Sequence, residues 1–231
     1  MNPHRAQGGA ALIVFALLLV TGSAYFLLTA LNKGRPALER AADDSGRLGE
    51  IREALMGHAV LNGCLPCPST SATSGVAAAS CSSATRAGFL PWQTLGLGRL
   101  DAWQHRYRYV VDPAFASGCS LTLTSAGDMQ VRTRDAGGAL VPVATALPAV
   151  ILSHGPNGLG ARTGSGAALA NPPASHIDEN TNRTATTSFV QRAPTADAAA
   201  PGGPFDDLVA WVPSSELIAR IDRATPGGLP P

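Results

Sequence analysis

Sulfur is the first chemistry the chain offers, through Cys64, Cys67, Cys81 and Cys119. Cys64-Leu65-Pro66-Cys67 has the spacing of a redox pair, but such a pair sits where a strand gives way to a helix beginning at the motif. Here a helical stretch precedes it and a loop rich in Pro, Ser and Thr follows. An even number of cysteines, all downstream of a long apolar segment, points instead to disulfides in an oxidising compartment. Four cysteines permit three pairings. We favour Cys67 with Cys81, which closes 13 intervening residues and stabilises by roughly 3 kcal/mol on the chain-entropy estimate. Cys64 would then join Cys119 and tie the end of a helix to the first hairpin.

The other reactive side chains lack the company that catalysis needs. Five histidines are scattered, and none has the spacing of a metal-ligand pair or a zinc motif. Ser153 lies beside His154, but adjacency in sequence does not supply the geometry of an activated nucleophile. Gly158-Leu159-Gly160 and Gly164-Ser165-Gly166 have no following Lys-Ser/Thr and read as turns rather than a phosphate loop. We therefore expect no catalytic residues and no enzyme activity. Asp178-Glu179-Asn180-Thr181-Asn182 crowds oxygen ligands together: Asp178, Glu179, Asn180 and Asn182 are the calcium candidates, set against the commoner role of such a cluster as a solvated turn. No other cofactor is expected. Trp92, Trp103 and Trp211 are expected to fill the core.

Positioning depends on the N-terminal segment. Between Gly8 and Asn32 there is no charged residue, and Ala10-Ala11-Leu12-Ile13-Val14-Phe15-Ala16-Leu17-Leu18-Leu19-Val20 is strongly apolar. About 20 such residues in a helix cross a bilayer. His4 and Arg5 precede the run, which favours a cytoplasmic N-terminus and export of the remainder. Net charge is +1 and the 17 basic residues are dispersed, so no nucleic-acid footprint is present. Lys33-Gly34-Arg35-Pro36 predicts a kink or break. Leu48, Ile51, Leu55 and Ala59 then recur at helical spacing, with Asn62-Gly63 as the stop.

Beyond the cysteine-bearing loop the pattern is mainly of strands. Segments 107–111, 120–125, 129–134, 150–153 and 208–212 read as strands, with 120–125 and 129–134 joined in a hairpin through Ala126-Gly127-Asp128. Residues 159–204 are low in hydrophobicity and predict a long irregular excursion, touching the sheet at Ser188-Phe189-Val190. Pro213-Ser214-Ser215-Glu216 would cap a short helix over 216–223, and the Pro/Gly-rich tail should be mobile. The class is α+β, a long N-terminal helix packed on an antiparallel sheet with long loops.

Gly9 followed by Ala10-Ala11-Leu12-Ile13-Val14 resembles the leader junction of type IV pilins and type II secretion pseudopilins. That resemblance implies cleavage between Gly9 and Ala10 by a prepilin peptidase, methylation of the new N-terminus, and retention of the apolar helix as an assembly surface, with Leu12, Ile13 and Val14 at the third, fourth and fifth mature positions. Val14 departs from the family's glutamate at the fifth. An unpaired ion is expensive in hydrocarbon, and the departure resembles certain minor pilins and the tip pseudopilin. Further segments, Leu65-Pro66-Cys67-Pro68, Gly88-Phe89-Leu90-Pro91-Trp92, Leu95-Gly96-Leu97, Asp101-Ala102-Trp103 and Asp206-Asp207-Leu208-Val209-Ala210-Trp211-Val212-Pro213, resemble a group of bacterial prepilin-type proteins.

The implied layout is a leader over 1–9, a transmembrane and assembly helix over 10–32, an amphipathic helical half over 33–63, a periplasmic β-rich domain over 64–224 and a flexible tail over 225–231. It implies a pilin-like fold and a single-pass protein of the bacterial inner membrane with its C-terminal domain in the periplasm. Its partners would be other pilin or pseudopilin subunits, the membrane and the peptidase, in a pilus or pseudopilus. The rival expectation is a signal-anchored periplasmic binding module outside any filament, either uncut or cleaved after Ala24.

Overall fold

The computed structural model describes the backbone of residues 7–231 and, apart from residues 7–12, 22 and 24–37, their side chains. The chain is α+β, with helices α1 (Gln7–Asn62), α2 (Trp92–Leu95), α3 (Ile177–Thr184) and α4 (Ser214–Ala224). Its strands are β1 (Ala87–Phe89), β2 (Arg108–Val111), β3 (Met129–Arg134), β4 (Leu140–Leu147), β5 (Ala149–Ser153), β6 (Ser188–Val190) and β7 (Leu208–Val212). Two compact units partition it, Met1–Ala42 and Asp43–Pro231.

Within the first unit, α1 runs through Lys33-Gly34-Arg35-Pro36 without the expected interruption. Proline removes one intrahelical bond, but the flanking turns keep theirs, and the helix does not end there. Ile13, Val14, Phe15, Leu17, Leu18, Leu19 and Val20 are all exposed. Among the described residues no helix is long and apolar enough to cross a membrane. Much of the stretch expected to span, residues 10–12, 22 and 24–32, lies where side chains are not described.

The second unit is built around alternation. Two mixed-size sheets are present, one ordered β1-β2-β5-β7 and wholly antiparallel, the other β4-β3-β6. Successive side chains of a strand face opposite ways, and the central strands use both faces. Tyr109, Val111, Ala149, Ile151 and Val212 join a core with Leu48, Ile51, Leu55, Met56 and Ala59 of α1 and Leu217, Ile218 and Ile221 of α4. Their neighbours Val110, Val150, Leu152 and Val209 join a second core with Met129, Val131, Leu147 and Phe189. β5 is therefore buried at every position, as a strand covered on both faces must be.

Several expectations need correction. Residues 120–125 are not a strand and form no hairpin with β3. Ser125 Oγ accepts from Thr122 N at 2.8 Å, folding the segment on itself, and Leu123 N donates to Pro230 O at 2.9 Å. β3 pairs instead with β4, across a turn in which Asp135 Oδ1 accepts from Gly137 N and Ala139 N, both at 2.9 Å. On its other side β3 runs parallel to β6, so that sheet is not purely antiparallel. Residues 159–204 contain a helix, α3. The tail is held, with Leu229 on the core and its N donating to Asp222 Oδ1 at 2.7 Å. Ser214 does not cap α4; its Oγ donates to Ala146 O at 2.5 Å. The three tryptophans are half-buried, and the largest fully buried rings are Tyr107, Tyr109, Phe115, Phe189 and Phe205.

Within the second unit a buried polar group of α1 also meets the segment that precedes β2. Asp44, fully buried, accepts from the Tyr107 hydroxyl at 2.5 Å and from Ala102 N at 3.2 Å. Burial, with some help from nearby Asp101, raises the Asp44 carboxyl above its usual 3.8. The folded chain thus holds that proton more tightly than the unfolded chain. This group's stabilisation is complete below pH 3.8 and lost as pH rises through its folded-state value. We expect Asp44→Asn, which keeps an acceptor for Tyr107, to remove that slope. Relative to the variant, the natural chain should lose melting temperature as pH rises above about 4, read by thermal denaturation. Parallel melting curves for the two proteins would show that Asp44 does not titrate in this way.

Candidate functional site

All four cysteines are bridged, Cys64 to Cys119 and Cys67 to Cys81. The Cys-Leu-Pro-Cys segment is therefore divided between two bridges rather than closed on itself. Gly63, at a φ of +73° that favours glycine, ends α1 by donating its N–H to Ala59 O at 2.8 Å. The chain then turns so that Leu65 is buried and its N donates to Phe115 O at 2.8 Å. Pro66 O accepts the Tyr109 hydroxyl at 3.1 Å. Cys64 and Cys67 flank these two residues, so the loop is held by covalent and polar links together.

The junction residues lie largely beyond description. Met1–Ala6 are outside the described residues, and Gly9, Ala10 and Leu12 are described only as helical backbone within α1. Ile13 and Val14 are exposed, at 63% and 56%.

The other sequence motifs resolve into buried polar joints. Asp101, fully buried, accepts from Trp103 N at 2.9 Å and His105 N at 2.7 Å through one oxygen, and from Ser153 Oγ at 2.9 Å through the other. One carboxylate thus closes the Asp-Ala-Trp turn and clips it to the end of β5. Ser153 spends its hydroxyl on Asp101 rather than on His154. The two Gly-x-Gly stretches also turn inward: Gly158 N, Gly160 N and Gly166 N donate to His154 O, Ala170 O and Thr163 O, which leaves those donors no phosphate to cradle.

The calcium candidates need a different account. They do not form a loop but the helix α3, and each has a protein partner. Asp178 Oδ1 and Oδ2 accept from Arg134 at 2.7 and 2.8 Å, and Oδ2 also accepts from Arg192 Nε at 2.7 Å. Asn180 Nδ2 donates to Pro173 O at 2.7 Å. Asn182 donates from Nδ2 to Val190 O and to Asp207 Oδ2, at 2.8 and 2.9 Å, and accepts from Val190 N at 2.8 Å. Among the described residues, Glu179 alone of the four enters a group that could hold a cation, and its companions there are Asp206 and Asp207. One ligand atom from each of these three carboxylates lies within 4.8 Å of the others.

That cluster lies where the end of β5, α3 and the approach to β7 supply residues in common. Glu179 Oε1 accepts from Asn157 Nδ2 at 2.9 Å and from Asp206 N at 3.1 Å, and its Oε2 is 2.7 Å from His176 Nδ1. His154, 3% exposed, places Nδ1 3.6 Å from Asp207 Oδ1. Burial, reinforced by the Glu179 carboxylate, pushes Asp206 up to about 7. Burial also raises Asp207, against the lowering influence of His154 and Asn182, and pulls the Arg108 guanidinium down to about 10. Nothing in sequence spacing brings His154 and Glu179 to Asp206 and Asp207. The adjacent acids Asp206-Asp207, just ahead of the segment 208–212, were the available signal.

No family model matches the chain, and no curated protein or solved structure matches it.

Asp178 is buried between two arginines that are themselves largely covered, and removing one member of a buried ion pair leaves the other charge uncompensated. Asp178→Ala should cost about 3 kcal/mol of unfolding free energy, measured by denaturant titration, with calcium chloride leaving the natural chain's midpoint unmoved. A calcium-dependent midpoint that vanishes in the variant would restore the role first expected of Asp178.

Proposed function

We propose that this chain is a membrane-anchored structural subunit of a type IV pilin or type II secretion pseudopilin kind, a minor or tip-like member, with no catalytic role. It would be cut between Gly9 and Ala10 by a prepilin peptidase and then held in the inner membrane by the apolar part of its long helix, with the disulfide-bearing domain in the periplasm. The helix would dock on equivalent helices of neighbouring subunits, and the domain would be pilin-like, its helix laid on the sheet.

The observation that carries this reading is the division of labour along α1. Residues 13–20 present seven large apolar side chains to the outside, an exposed apolar surface that calls for lipid or protein to cover it. Residues 48–59 place Leu48, Ile51, Leu55, Met56 and Ala59 in the core. Helix association within lipid rests on close packing rather than on apolarity, and Ala10, Ala11, Gly22, Ser23 and Ala24 are small enough to permit it. Val14 in place of an acid suits a subunit that is not repeated along a shaft. A groove of about 390 Å³ lined by Leu123, Ala144, Trp211 and Ile218 among others is the feature that favours the second reading, an anchored binding module.

Mass spectrometry of the mature chain from membranes separates the two. We expect an N-terminus at Ala10. A mature chain beginning at Tyr25, or one that keeps Met1–Gly9, would replace the filament reading with the anchored or exported module.

A further inference from the structure

We propose that Arg99 and Arg162, with Arg106 buried between them, form a docking face for an acidic segment of a partner protein. Three loops make this face, residues 71–75, 92–100 and 162–168, and none of them contains an aspartate or glutamate. The loops touch one another. A Cβ added at Gly164 would lie 3.2 Å from Leu100, one at Gly166 3.2 Å from Thr73, and one at Gly75 only 2.2 Å from Trp92. The face lies wholly within the second unit and does not depend on where the mature chain begins.

Arg106 draws the loops together. Its N donates to Arg162 O at 2.9 Å, its Nη1 to Arg99 O at 3.3 Å and its Nη2 to Gly164 O at 2.5 Å. Carbonyls satisfy these donors but bring no full negative charge. A guanidinium only 3% exposed would ordinarily sit against a carboxylate. Among the described residues no acid forms an ion pair with Arg99, Arg106 or Arg162, and Arg106 Nε has no partner there. Asp101, close by in sequence, spends its oxygens on Trp103 N, His105 N and Ser153 Oγ. Burial, then the charge of Arg99, pulls the Arg106 guanidinium below its usual value. Elsewhere the chain closes such charges itself, as where Arg134 and Arg192 share Asp178. Here it does not.

What is missing is negative charge, and the surface has the make-up of a protein contact. Arg99 and Arg162 are exposed, and Arg162 Nη1 reaches only Gly166 O, at 3.2 Å. Half-buried Trp92 lies beside them, its ring centroid 6.0 Å from Arg106 Cζ. Tryptophan and arginine are enriched where protein interfaces carry most of their energy, and arginine can meet a carboxylate through two bonds at once. The cations stand on separate loops, and Gly166 N is spent on Thr163 O. Such a spread suits several carboxylates along a chain better than one phosphate.

The test uses the full chain in a neutral detergent and a fluorescein-labelled octaglutamate peptide, followed by polarisation at low salt. We expect saturable binding that weakens as salt is raised. Arg99→Glu and Arg162→Glu should each weaken it about tenfold. Arg223→Glu, an equal change of charge on α4, should leave it within about twofold. All three side chains are exposed, and circular dichroism checks that each variant is folded. Absence of saturable binding, or an equal loss in all three variants, would overturn the proposal. So would binding of phosphatidylglycerol vesicles or inorganic phosphate through Arg99 and Arg162 while the peptide does not bind.

Discussion

Leu48, Ile51, Leu55 and Ala59 form one stripe of α1, and the second unit cannot close its larger core without them. Leu55 and Ala59 are fully buried, among Tyr109, Ile151 and the inner face of α4. Replacing one such leucine by alanine typically costs 2–5 kcal/mol, a large share of what a domain of this size has to spare. The stripe begins only six residues after Ala42, where the first unit ends. The part of α1 that fills this core therefore lies within the second unit itself.

Around this stripe the chain compensates for a modest supply of large apolar groups. Aromatic residues make up 5% of the sequence, and much of the interior is settled by polar joints instead. Tyr107 meets Asp44, Ser153 meets Asp101, Asn182 bonds β6 through both ends of its amide, and Asp178 joins two arginines. Each is directional in a way that apolar contact is not, and in a low-dielectric interior each becomes costly if half-made. Two disulfides restrict the loop that has least core of its own.

Legibility in the sequence follows the same division. The α1 stripe, β5, β7, the contact at β6 and the α4 face announce themselves by apolar period, because burial there is apolar. β4 does not, since it is an edge strand with a mostly uncovered face and a proline, Pro142, that an edge tolerates. α3 does not, because Asp178, Glu179 and Asn182 are what it buries, and a helix with a polar inner face has no apolar period to read. The alternation over residues 120–125 misleads, because short hydroxyl side chains there bond locally rather than in a ladder. The presence of disulfides was legible from the even number of cysteines, but spacing alone left three pairings open, of which the favoured one is the pairing found. The acidic group with His154 was not legible, because tertiary structure alone brings together residues about fifty apart in sequence.

The proposed subunit role requires the apolar part of α1 to serve as a docking surface for other protein helices. A photo-crosslinking amino acid placed at Leu17, which is 59% exposed, tests it in living cells. The account requires ultraviolet-dependent adducts between this chain and another membrane-embedded protein, lost when the same probe is moved to exposed Leu123 in the second unit. Adducts to lipid alone, or a soluble chain from which residue 17 has been cut away, would contradict it.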